Sequence, residues 1–485
     1  MRHPHKRFAD RSAASCSDSQ LRANLKAAAL HFKGKRDRAF ADFAEGERYR
    51  DLARRIKEDA LARVADLLKE LEENVVAAGG RVHWAADAAE AGRIVETLAR
   101  AYGVGLAVKG KSMVTEEVQL NKALEAAGVE VLETDLGEYI VQLAGEGPSH
   151  IIAPAVHKNR EEIADLFSRH LGLQEDSDPG RLTRVARAVL RKRFLEADMG
   201  ITGANMALAG TGSVVLVENE GNIRLSTTAP RVHVAVMGLE KVVPGPLEMG
   251  VLLSLLPRSA SGQKLSSYVS LLTGPRREGE RDGARAFHLV LLDNGRSRIL
   301  ADPKLREILY CLRCGACLNV CPVYEKAGGH SYGGVYSGPM GSVLTPLLGE
   351  QGAGRDLAFA CTQCGACAEV CPVRIDLPGL LLELRHQAAE GGTAKEGLPL
   401  SRGAARTYAA VCSHPGLYRT VTSLARTMDP GSTISRRLPG LGGRLRAWAR
   451  YRSMPRWQRP FSRGWKKRLR SGGLGDGQVG DGDGS

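Results

Sequence analysis

Eight of the ten cysteines in this 485-residue chain fall into two matched runs. The first reads Cys311-Leu-Arg-Cys314-Gly-Ala-Cys317-Leu-Asn-Val-Cys321-Pro322. The second reads Cys361-Thr-Gln-Cys364-Gly-Ala-Cys367-Ala-Glu-Val-Cys371-Pro372. Both have the spacing C-x2-C-x2-C-x3-C-P, which holds paired iron–sulfur cubanes. A cubane needs four thiolates converging on four irons. Two-residue gaps let one tight loop supply three of them, and the fourth cysteine, beyond the loop, ligates the other cluster. This reasoning assigns one [4Fe–4S] cluster to Cys311, Cys314, Cys317 and Cys371. The other takes Cys361, Cys364, Cys367 and Cys321. Pro322 and Pro372 end the ligand loops, having a fixed φ and no N–H. Gly315 and Gly365 let backbone amides approach the sulfurs, and such hydrogen bonds tune potential.

Rival readings of the cysteines fare worse. Zinc ribbons use pairs of C-x2-C rather than triplets with a fourth cysteine before proline. A disulfide framework requires an exported chain. Cys16 and Cys412 stand apart and read as ordinary thiols.

A second set of polar residues lies at expected strand ends upstream. Lys109-Gly-Lys111-Ser112-Met-Val-Thr115-Glu116-Glu117 runs from a strand into a helix. Ser112 or Thr115 would cap that helix, with Lys109 and Lys111 holding an anion. Acids cluster in Glu133-Thr-Asp135-Leu-Gly137-Glu138. A third stretch carries Thr202, Asn205 and Thr211. Ligands of open α/β sheets bind beyond the carboxyl ends of the strands. Lys109, Lys111, Ser112, Glu116, Glu138, Thr202, Asn205 and Thr211 are therefore candidates for one small-anion pocket. The alternative, caps and tight turns, is as good for any single residue. The sequence offers no G-x-G-x-x-G fingerprint after a strand and no readable nucleophile–base pair.

The elements that must position these groups follow from periodicity. Residues 51–71 carry apolar side chains at helical spacing. From about 80 to 300, β-rich runs alternate with helical ones. Expected strands are Val104–Val108, Val129–Glu133, His150–Ala153, Gly212–Glu218, His233–Met237, Tyr268–Leu272 and His288–Leu292. Expected helices include Lys122–Ala127 and Glu161–His170. The pattern predicts an α/β domain with a mainly parallel sheet. The cysteine region reads as helical, with amphipathic helices over Asp302–Tyr310 and Leu377–Ala388. The expected organisation is an N-terminal helical extension (1–75), an α/β domain (76–300), a two-cluster domain (301–394), a helical segment (395–470) and a disordered Gly/Asp-rich tail (471–485). Between the cysteine runs, residues 328–341 hold many glycines, predicting close backbone approach, with a cluster the obvious neighbour. His330 there either caps the loop or tunes a cluster.

Composition is that of a globular protein, 43% hydrophobic with 5% aromatics. No apolar run follows the basic start, so no signal peptide is expected, and no stretch approaches a membrane span. A cytoplasmic location is expected, with attachment to the inner membrane surface an option. Net charge is +14. Residues 444–470 are rich in Arg and Lys, lack acids and interleave Trp448, Trp457, Phe461 and Trp465. They suit docking on the protein itself or a partner, an anionic membrane surface, or, least favoured, nucleic acid.

Long ordered matches then identify a family. Val108-Lys-Gly-Lys-Ser-Met-Val-Thr-Glu-Glu117, Glu133-Thr-Asp-Leu-Gly-Glu-Tyr-Ile140, Pro154-Ala-Val-His-Lys158, Gly203-Ala-Asn205, Glu220-Gly-Asn222, Pro230-Arg-Val-His233, Thr273-Gly-Pro-Arg276, Asp293-Asn-Gly-Arg296 and Gly328-Gly-His330 resemble the lactate utilisation protein B family over roughly residues 25–470. The resemblance implies a LUD domain of NagB/RpiA/CoA-transferase-like α/β fold, joined to the cluster domain and a C-terminal family domain. It implies partners as well: a cysteine-rich-domain subunit and a small LUD-domain subunit. It also implies electron transfer during oxidation of L-lactate to pyruvate, or, alternatively, a LUD domain that itself binds and oxidises the acid. A regulator that senses through a cluster is a distant third reading. Two positions depart from the family pattern: Gly210 stands where an acid is usual, and Ala284 replaces a proline.

Overall fold

Six parallel strands form the larger sheet of a computed structural model that describes residues 7–172, 177–349, 354–390 and 402–427. They are β1 (Arg81–Ala85), β2 (Leu106–Lys109), β3 (Glu130–Glu133), β4 (Met199–Gly203), β7 (Val232–Gly238) and β10 (Ala286–Leu292), in the order β1-β10-β7-β4-β2-β3. A second sheet, not foreseen in the sequence, has the order β8-β5-β6-β9. It joins β5 (Met206–Leu208), β6 (Ser213–Glu218), β8 (Val242–Val243) and β9 (Tyr268–Leu272) through antiparallel β5–β6 and β6–β9 pairs and a parallel β5–β8 pair.

Alternation along the buried strands explains the layering. Val234, Val236, Val290 and Leu292 face a core with helices Ala88–Ala101 and Leu120–Ala126. Their neighbours Ala235, Met237, Leu289 and Leu291 face the opposite side, against helix Val64–Ala77 and the second sheet. Strands covered on both faces read as continuous apolar runs, as β7 and β10 do. Each Val or Leu so buried contributes about 1.5–3 kcal/mol of transfer free energy.

The N-terminal helices and cysteine region are not separate bodies. One core cluster runs from Leu25, Ala53 and Leu61 through Leu208, Val215 and Leu252 to Ile308, Leu318, Tyr336, Cys367, Cys371 and Leu381. The contacts divide the chain between Gly397 and Leu398, not near 75 or 300. Beyond that division, helices Arg402–Ser413 and Pro415–Thr427 pack on each other. The basic segment 444–470 and the tail 471–485 lie outside the described residues.

Several expected elements changed. The helix over 51–71 is two, Gly46–Ala62 and Val64–Ala77, broken at Arg63 (φ −114°, ψ 21°). His150–Ala153 is not a strand: His150 Nδ1 accepts from the Ile152 and Ala153 N–H groups at 3.1 and 3.3 Å, so a side chain replaces the ladder. Asp302–Tyr310 holds a turn and a 3-10 helix (Arg306–Tyr310) rather than one α-helix.

Candidate functional site

The two cysteine runs fold alike. Arg313 (φ 61°) and Gly315 (φ 77°) of the first are matched by Gln363 (φ 57°) and Gly365 (φ 83°) of the second. Left-handed residues alternating with ordinary ones turn successive N–H groups inward, making an anion nest. Arg313 N–H points at Cys311 Sγ at 3.4 Å and Gln363 N–H at Cys361 Sγ at 3.3 Å. Beyond the loops, Tyr324 N–H reaches Cys321 Sγ (3.5 Å) and Ile375 N–H reaches Cys371 Sγ (3.3 Å).

Several buried thiols feel cysteines of both runs. Burial and then Cys311 push Cys314 up to about 12, with Cys371 adding to the effect. Cys317 is driven well above the usual thiol value by burial, Cys311 and Cys314, then by Cys367 and Cys371. Burial and then Cys321 push Cys367 up to about 12, with Cys361 and Cys364 behind. Such thiols become anionic together only around a multivalent cationic core, and an all-sulfur donor set selects zinc or iron–sulfur clusters. Among the described residues, no three His, Cys, Asp or Glu side chains are placed to grip a single metal ion.

Cations lie beside the first loop and the Cys371 end of the second run. Arg50, buried in helix Gly46–Ala62, donates from Nε and Nη2 to the Cys371 carbonyl (3.1 and 2.9 Å) and from Nη2 to the Glu369 carbonyl (2.6 Å). Arg36 Nη2 donates to the Val370 carbonyl at 3.2 Å. Lys241 Nζ lies 3.5 Å from the Cys311 carbonyl. Arg313 Nη2 meets Glu240 (3.3 Å) while its guanidinium sits 5.2 Å from the Tyr336 ring. Arg296 bridges Glu240 (2.6 Å) and Glu117 (2.9 Å), and Tyr336 donates to Glu117 at 2.7 Å. Burial would raise the Glu240 carboxyl, but Arg296 and Arg313 hold it down at about 2. These positive groups match the negative charge that thiolate-ligated clusters carry.

A cavity of about 430 Å³ opens where the α/β domain meets this loop. Lys111 follows β2, Asp135 follows β3, Asn205 follows β4, Glu240 follows β7 and Arg296 follows β10, and all five line it. The carboxyl ends of five parallel strands thus form one wall, as open α/β sheets dictate. Leu312, Arg313 and Cys314 form another. Pocket and cysteine loop, separate in the sequence reading, share one space.

The eight pocket candidates divide. Lys111, Ser112 and Asn205 line the cavity. Ser112 Oγ also caps helix Met113–Glu117, accepting from Thr115 N–H, and Asn205 Oδ1 accepts from Val217 N–H. Lys109, Glu116, Glu138, Thr202 and Thr211 are not in its lining. Lys109 is spent internally, 2.7 Å from Glu133 and 3.2 Å from Glu116; burial opposes its charge, but those acids raise its pKa. Burial pushes Glu138 up to about 8, with Lys111 opposing. Thr202 pairs with His233 Nε2 at 2.8 Å inside the sheet. Thr211 hydrogen-bonds Ser213 in the β5–β6 hairpin. Gly210 also lies outside the cavity, its missing Cβ facing Pro244 O and Glu70, so the departure there touches no lining residue's role.

Within the glycine-rich stretch, Met340 lines a small cavity with Cys311, Cys314, Cys317 and Cys371, while the first glycines pack on other neighbours. A Cβ on Gly329 would meet Ser149 O at 1.7 Å, and one on Gly328 would meet Leu25 at 3.2 Å. His330 is exposed and donates to the Gly147 carbonyl at 2.8 Å, which is a loop contact. Ala284 lines a smaller pocket of about 280 Å³ with His233 and Phe287.

Arg36, Arg50, Arg313, Glu240, Lys241 and Tyr336 went unremarked in the sequence. One signal was available: Arg313 breaks the likeness of the two runs, standing where the second has Gln363. Arg50, Ala53, Lys57, Ala60 and Leu61 also share one buried helix face, marking two cations for inward use.

Comparison with known proteins agrees with this architecture. Residues 68–292 match the LUD domain and residues 307–375 the 4Fe-4S dicluster domain, so the cofactors are [4Fe–4S] clusters. Lactate utilization protein B of Bacillus licheniformis is 44% identical over 463 residues, covering 95% of this chain and 96% of that one. The protein of the same name from Bacillus thuringiensis is 43% identical over 476 residues, covering 98% and 99%. A crystal structure of a duf162 family protein from Deinococcus radiodurans overlaps 47% of this chain and 98% of its own, at 14% identity and a TM-score of 0.26, too low to carry weight. With its LUD domain and its dicluster domain both in place, the chain belongs to the lactate utilization protein B family.

Proposed function

We propose that this chain is the iron–sulfur electron-transfer subunit of a system that oxidises L-lactate to pyruvate. One observation carries the reading: Cys314 lines a cavity at the strand ends, while Cys364 of the other run is exposed. The ligand sets are Cys311, Cys314, Cys317 and Cys371 on the cavity side, and Cys361, Cys364, Cys367 and Cys321 toward the surface. When bound, the two cubanes each pass one electron at a time, and the oxidation releases two. The chain's own residues fix the loops, exclude water from Cys314 and Cys371, and supply compensating positive charge through Arg36, Arg50, Lys241 and Arg313. The relatives' shared name supports lactate as the fuel.

A cysteine-rich-domain subunit and a small LUD-domain subunit are the proposed partners, in the cytoplasm. Among the described residues no helix is long and apolar enough to cross a membrane. The test is copurification of the assembly with EPR during L-lactate titration. Lactate-dependent reduction of both clusters supports the reading. Clusters that dithionite reduces but lactate does not, in an assembly that still makes pyruvate, would sink it.

A further inference from the structure

Two cationic side chains in the cavity each keep a donor atom without a partner, although Arg313 also pairs with Glu240 through Nη2. Lys111 Nζ and Arg313 Nη1 are buried, and among the described residues neither has a hydrogen-bond acceptor. A buried unsatisfied donor costs about 1–3 kcal/mol, more when charged, so each such group calls for a partner, and two that share one cavity can be met by one ligand. Both residues line the same 430 Å³ space, a size within the range of small-molecule sites. One comes from the α/β domain and the other from the cysteine loop.

The same lining holds carboxylates. Asp135 and Glu220 line it, and both act on Lys111. A ligand that fits has an anionic end for the two cations and a hydroxyl to donate to an acid.

We infer that the cavity is the binding site of a small 2-hydroxy acid, its carboxylate held by Lys111 and Arg313 and its hydroxyl facing Asp135 and Glu220, against the loop that carries Cys314. This rests on the proposed function and deepens it: the donor docks on this subunit, beside the inner cysteine set. Arg313 then has two tasks, ligand capture and charge compensation.

The experiment is calorimetric titration of the cluster-loaded chain with L-lactate and, in parallel, propionate, which lacks the hydroxyl. Saturable lactate binding is expected, at least tenfold tighter than propionate. Lys111→Met, which keeps length without charge, and Arg313→Gln, which copies the residue of the second run, are each expected to weaken lactate at least tenfold, with a melting temperature of free Lys111→Met no lower than the parent's. Equal binding of the two acids, binding indifferent to both substitutions, or no saturable lactate binding would each overturn the site. The electron-transfer reading fails separately, in the EPR titration of the assembly. A chain that relays electrons from lactate yet does not bind it would overturn the site alone.

Discussion

Arg313 and Gln363 hold the same position in the two cysteine runs and nearly the same left-handed backbone, φ 61° and 57°, yet their side chains meet different surroundings. Arg313 pairs with Glu240 and stacks over Tyr336. Gln363 Nε2 is buried, with no hydrogen-bond partner among the described residues. Two loops of equal geometry thus differ by a full charge.

That difference sets the first prediction. A nearby cation favours the more negative, reduced state of a cluster. Arg313→Gln should lower the potential of the centre held by Cys311 by roughly 50–100 mV, taking about 60 mV per tenfold shift for one electron. Potentiometric EPR titration reads this directly, and two unmoved midpoints would refute it.

Crossed ligation gives the second. Cys371→Ser should remove the same EPR signal as Cys314→Ser, and Cys321→Ser the same signal as Cys361→Ser. Iron content should fall by about half in each. If Cys371→Ser instead paired with Cys361→Ser, each run would hold its own cluster.

Glu240 supplies the third. It lies between Arg296 and Arg313, and its backbone carbonyl accepts from Lys57 at 2.5 Å. Removing one partner of a buried ion network costs about 3–5 kcal/mol, so Glu240→Gln should melt well below the parent. The folded carboxyl titrates near 2 against an ordinary 4.5. Its contribution is therefore full above about 4.5 and fades as pH falls toward 2. The gap between parent and variant should narrow over that window in acid unfolding curves.

His233 gives the fourth, with the opposite chemistry. Burial, then His288, lowers it from 6.5 to about 3. Between those values only the unfolded chain takes up the proton, so stability rises with pH from about 3 to 6.5, by at most about 1.4 kcal/mol per unit from this group. His233→Asn should flatten the pH dependence of urea unfolding by up to one proton. An unaltered slope would mean that the ring is charged in the fold.

The cysteine runs, the parallel sheet and most of its strands were legible because each is written locally, in spacing or alternation. The second sheet was not, because β5 and β8 are three and two residues long. His150 looked like a strand residue, since nothing in an apolar run announces that a ring nitrogen will take the ladder's hydrogen bonds. In the cavity, Lys109 and Lys111 are two residues apart and read alike. Only packing shows that Lys109 lies beside Glu133 while Lys111 lines the cavity. The joint between the α/β domain and the Cys311 loop is a cavity walled by residues some two hundred positions apart, such as Lys111 and Arg313, and no local pattern encodes it.

The unequal shielding of Cys314 and Cys364 has one further consequence. Dissolved oxygen reaches an iron–sulfur centre through the least covered sulfur. Decay in air should therefore begin at Cys364 and proceed inward, leaving for a time a half-loaded molecule that keeps only the shielded set. The lifetime of the loaded chain in air is then set less by the strength of its core than by whatever covers that one exposed cluster cysteine.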